Sequence, residues 1–144
     1  MKFSNLFFGL LVSVALTACG GGKTDSAESG STENTELTPM QERQLKGLEM
    51  EIKKVNKQLP MEMPNGLTMQ SMELKDGYVV TTSTYPQDIE MVIDNTPEGK
   101  ATIIKEAGER MTKRLKDINI GLKYIYIEEG TDKTDVIVIT PEEL

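Results

Sequence analysis

The chain has 144 residues, with 16 basic and 23 acidic side chains, a net charge of −7, no histidine and one cysteine. That inventory excludes a histidine base, a histidine metal ligand and a disulfide within the chain, so the familiar serine, cysteine and metallo-hydrolase constellations cannot be assembled. It also fits nucleic acid poorly, because phosphates need Lys and Arg.

The first segment has the parts of a secretory leader. Met1-Lys2 supplies a positive start, and Leu6 to Leu16 is an apolar run. A bilayer core needs about 20 apolar residues, so this run reads as a signal and not as a spanning helix. It ends in Leu16-Thr17-Ala18-Cys19, which resembles the lipobox of bacterial lipoproteins. The resemblance implies cleavage between Ala18 and Cys19, with Cys19 carrying the lipid. Two or three acyl chains hold a protein on a membrane far better than one. Gly20 follows, and an Asp there is the usual inner-membrane retention signal. Its absence points to the outer membrane, and which side the protein faces stays open. Removing residues 1–18 takes away Lys2 and leaves 15 basic against 23 acidic side chains, a net of about −8. Such a chain is expected to be repelled by anionic lipid, so the anchor and not the surface charge is expected to hold it at the membrane.

Residues 19–37 are mostly Gly, Ser, Thr and acidic side chains, and they read as a flexible tether. A single domain is expected over 38–144. Thr38-Pro39-Met40-Gln41 carries a capping signal, and Leu45, Leu48, Ile52, Val55 and Leu59 recur three and four apart. This predicts a helix over Pro39–Gln58, with Glu42/Lys46 and Glu49/Lys53 spaced for ion pairs. Pro60 and Pro64 bracket a loop. Leu67–Leu74 and Tyr78–Tyr85 read as a hairpin around Asp76-Gly77. Ile89, Met91 and Ile93 suggest a further edge strand. Thr96-Pro97-Glu98 opens a second helix, with Ile103, Ala107, Met111 and Leu115 one turn apart. Ile120–Glu128 and Asp135–Thr140 are strands with apolar residues on both faces, and both are expected to be central. The order α-β-β-(β)-α-β-β predicts an α+β two-layer sandwich: an antiparallel sheet of four or five strands with two helices on one face.

From Leu59-Pro60 to Leu144 the domain is similar to small exported bacterial proteins of unknown function. The shared pieces are a helix ending in Leu-Pro, the Gly121-Leu122-Lys123-Tyr124 strand and the terminal Thr-Pro-Glu-Glu-Leu. The resemblance implies an architecture and brings no activity with it.

Candidate sites are few. Tyr124 and Tyr126 share a strand face, and Tyr78 and Tyr85 lie on another strand; together they could line a ligand or partner groove. Structural tyrosines are the plainer reading. Met61, Met63, Met69 and Met72 are soft ligands suited to Cu(I), or simply core filler. The carboxylates Asp88, Glu90, Asp94, Glu128, Glu129 and Asp132 fall near strand ends and read as solvated turn charges. No catalytic residue and no cofactor is expected. The leading expectation is a non-enzymatic envelope lipoprotein, held by Cys19 and serving as an interaction or accessory module for an envelope protein partner. The alternative is a small-ligand or metal-binding lipoprotein using the Tyr face or the Met cluster.

Overall fold

The computed structural model describes residues 36–144. The expected leader, Cys19 and residues 19–35 of the tether lie outside the described residues. Helix α1 (Pro39–Asn56) starts where the capping signal predicts. The Thr38 hydroxyl accepts from the Gln41 amide, and Gln41 Oε1 accepts from the Thr38 amide at 2.9 Å. Pro39 takes the first helical position, where its missing N–H costs nothing. Leu48 and Ile52 are buried, with Leu45 and Val55 packed beside them.

The chain then builds β1 (Met61–Glu62), β2 (Thr68–Lys75) and β3 (Tyr78–Tyr85). The expected loop at Met61 is therefore a short strand, antiparallel to β2, with Met61 opposite Met69. Asp76 and Gly77 turn the β2–β3 hairpin with φ of 52° and 79°, as a primed turn requires. Residues 86–95 form no strand; the expected edge strand at Ile89–Ile93 is absent. Met91 and Ile93 instead pack on the core from an irregular crossing segment.

The expected second helix is two: α2 (Pro97–Ala107) and α3 (Glu109–Asp117). Gly108, at φ 83° and ψ 145°, breaks the helix and caps both pieces. Ile103, Ala107 and Leu115 nevertheless stay buried on one side, which is why the apolar spacing runs through the break. β4 (Gly121–Glu128) and β5 (Thr134–Ile139) form a second antiparallel hairpin.

The sheet order is β1-β2-β3-β4-β5. β3 and β4 run parallel, from Tyr78 opposite Gly121 to Tyr85 opposite Glu128. The α+β two-layer architecture stands, but the sheet is mixed and not purely antiparallel. The physical reason is the connection. A helical crossover of the length of residues 86–120 returns the chain to the end where β3 began, which makes the next strand parallel. β5 consequently lies at the edge and not in the centre.

One apolar cluster joins the helices to alternate strand residues: Met72, Val79, Tyr85, Leu122, Tyr124, Tyr126, Ile137 and Ile139. Successive strand residues face opposite ways. The other face therefore carries Tyr78, Val80, Thr82, Lys123, Ile125, Ile127, Val136 and Val138, with no helix of the described residues over it.

Candidate functional site

Both flanks of the sheet are dressed differently from its interior. On one side, Asn56 at the end of α1 acts as a surrogate strand for β2. Its Nδ2 donates to the Met72 carbonyl at 2.6 Å, and its Oδ1 accepts from the Met72 amide at 3.0 Å. The shallow groove there, about 310 Å³, is lined by Ile52, Lys53, Asn56, Met72, Glu73 and Leu74.

On the other side, β5 is barely covered. Asn95 Nδ2 donates to the Val136 carbonyl at 3.3 Å, which shows that the Val136 backbone points away from β4. Alternation makes Thr134 and Val138 point the same way. The side chains of Val136 and Val138 stand on the helix-free face, and Val136 is 37% exposed. Ile125 lies directly opposite Val136, and Lys123 opposite Val138. The result is an open strand edge continuous with an apolar strip. Lys133 and Asp135 flank it, as charged residues often flank natural edges. None of Asn56, Asn95, Val136 or Val138 was singled out from sequence. The repeated Val-Ile of 136–139 carried the apolar signal, but not which pair of residues faces the helices.

The tyrosines lie elsewhere than a groove. Tyr85, Tyr124 and Tyr126 are buried on the helix-covered face, at 0%, 4% and 7% exposure. Only Tyr78 stands on the open face, half-buried. A Cβ at Gly121 would approach its ring to 2.6 Å, so the glycine makes room for it. The Tyr124 and Tyr126 rings stack with centroids 6.4 Å apart. Burial raises the Tyr126 phenol to about 12, helped by the Glu106 charge. Burial raises Tyr124 further, with Tyr126 and Glu106 adding to it. Lys133 closes the end of the sheet over Tyr85, 5.8 Å from the ring centroid. Tyr85 and the Glu128 carboxylate raise the Lys133 ammonium above its usual value.

Met63, Met69 and Met72 are also buried, and Met61 packs against them. Met69 and Met72 reach the core together because the pairing shifts between Met69 and Ser71. Such a bulge spends one residue, Gln70, without a partner. The sulfurs are thus packing groups of the sheet edge in this structure. Among the described residues, no three His, Cys, Asp or Glu side chains come together as a metal site. Asp94 serves Thr96, whose hydroxyl and amide hold its carboxyl below the usual range. Between α1, α3 and the sheet lies an interior space of about 40 Å³, lined by Leu48, Val55, Met111, Leu115 and Leu122 among others. It is too small for a metabolite.

No family model matches the chain, and no curated protein matches it in sequence. Among solved structures, it is similar to the type II secretion system pilotin AspS from Vibrio cholerae. The identity is 15%, over 72% of this chain and 97% of that one, with a TM-score of 0.48.

Proposed function

We propose that this chain is a lipid-anchored envelope protein without catalytic activity, and that its folded domain binds an envelope protein partner by strand addition to β5. Three sequence features support the anchored part: the leader, Leu16-Thr17-Ala18-Cys19 and the polar tether. An outer-membrane location belongs to the same proposal. The observation that carries the binding part is the β5 edge. Its outward backbone groups meet Asn95 alone among the hydrogen bonds of the described residues, and its Val136 and Val138 side chains extend an apolar strip. Strand addition draws affinity from such backbone groups and specificity from alternate side chains.

The test is site-specific photocrosslinking in the source cell. A photoreactive residue at Val136 is expected to capture one envelope protein, and the same group at Glu90 is not. Equal capture at both positions, or none at 136, defeats the binding part. The anchor is read separately by mass spectrometry of the mature chain. Cys19→Ser is expected to abolish the lipid mass and to release the chain from the membrane fraction in a high-salt wash. A wild-type mature chain without the lipid mass at Cys19, or a Cys19→Ser chain that resists the salt wash, ends the lipobox reading.

A further inference from the structure

The outer face of α1 is the exception on an acidic molecule. Arg43, Lys46, Lys53 and Lys57 follow one another with Met50 at spacings of three and four, and Lys54 lies beside them. All six side chains are exposed, and Met50 is 61% exposed. They occupy the side opposite Leu48 and Ile52, over about 20 Å of helix. The ion pairs among the described residues are Lys100–Glu143, Arg114–Glu51 and Lys133–Glu128. The spacing of Glu42/Lys46 and Glu49/Lys53 therefore produces no pair, and the five cations of the stripe are unneutralised by contact. The helix dipole accounts for cations in the last turn. It does not account for Arg43 and Lys46 in the first half. α3, tied to α1 through Arg114, also carries exposed Arg110 and Lys113.

The position of the stripe says what it meets. α1 is the first element of the described residues, and its N-cap lies 19 residues past Cys19 in sequence. We propose that α1 lies along the membrane surface, with Arg43, Lys46, Lys53, Lys54 and Lys57 against anionic lipid headgroups and Met50 dipping between them. The proposal takes its proximity from the anchored reading and its chemistry from the stripe. Basic side chains near a membrane attract acidic lipid over roughly one Debye length, about 10 Å at 0.1 M salt. The net negative charge opposes binding in other orientations, so attraction on one side orients the molecule. The β5 edge, at the far flank of the sheet from β1 and β2, stays open to a partner.

The test uses the mature chain from residue 19 with Cys19→Ser, so that no acyl chain contributes. It is sedimented with phosphatidylglycerol vesicles and with phosphatidylcholine vesicles. Retention on phosphatidylglycerol alone is expected, lost at high salt. Lys46→Glu/Lys53→Glu/Lys54→Glu is expected to weaken it ~10-fold or more. The same three positions changed to Gln, with melting curves as the folding control, are expected to weaken it less. No retention on phosphatidylglycerol, or retention untouched by either triple variant, overturns the proposal. The stripe would then face an acidic protein surface. Failure of the anchored reading is visible elsewhere, as a mature chain that carries no lipid mass.

Discussion

Asn56 shows how much one side chain can decide. Placed at the last turn of α1, it fills both hydrogen-bonding positions of Met72 and so caps the β2 edge at that residue. Leaving those two backbone groups without it costs about 1–3 kcal/mol. Asn56→Ala is expected to lower stability by that amount in urea titration. Asn56→Asp is expected to fall between the two, because it can accept from the amide but cannot donate to the carbonyl. The buried tyrosines set a pH limit at the same scale. A phenol raised from 10.0 to about 12 on folding favours the native state fully below pH 10. That contribution is lost as pH rises through about 12, since the unfolded chain gives up its proton first. Tyr124 acts in the same direction. Alkaline unfolding above pH 10 is therefore expected in a urea series, and Tyr126→Phe should flatten the loss.

At the scale of elements, the α1–α3 contact turns on one guanidinium. Arg114 Nη1 donates to both Glu51 oxygens, at 2.9 and 3.0 Å, and Nη2 donates to the Gln44 carbonyl at 2.8 Å. Gly47 lets this happen: a Cβ there would stand 2.8 Å from Nη2. Gly→Ala inside a helix ordinarily stabilises by about 1 kcal/mol. Gly47→Ala is expected to forgo that gain, and Arg114→Lys to destabilise because a point charge cannot hold Glu51 and the Gln44 carbonyl together. A double-mutant cycle with Glu51→Gln checks both. Gly108 is the other hinge of the layer. Its φ of 83° is strained for any residue with a Cβ, so Gly108→Ala should cost about 1 kcal/mol or more in thermal melting. The apolar spacing 103, 107, 111, 115 hid this break, because both halves turn the same side to the sheet.

For the whole molecule, polarity is the organising feature. Cations gather on the outer side of α1, while Asp88 and Glu90 follow β3 and Glu128, Glu129 and Asp132 lie at the end of β4 and just after it. Net charge alone suggested a molecule repelled by lipid; its distribution supports one that settles on lipid by one face. The two proposed surfaces lie over opposite flanks of the sheet, α1 beside β2 and the open edge at β5. If both proposals hold, the domain is expected to bind its partner and the membrane together. Val136→Lys should abolish the 136-dependent partner contact while leaving vesicle retention unchanged, measured side by side.

What the sequence determined by itself was local. The cap at Thr38, the turn at Asp76-Gly77 and strand β3 were legible to the residue, because each depends on neighbours a few positions away. The helix and strand periods also fixed which residues share a face. They did not fix which face is covered. Tyr85, Tyr124 and Tyr126 alternate as well as Tyr78, Ile125 and Val136 do, and only the packing of α1, α2 and α3 made the first set core. The same holds for Met69 and Met72, three apart and yet together, since a bulge is a property of two paired strands. Tertiary structure alone decided that β3 and β4 run parallel and that β5 is an edge. A crossover of this length carries no local signal for strand direction, and an edge is defined by the neighbour it lacks.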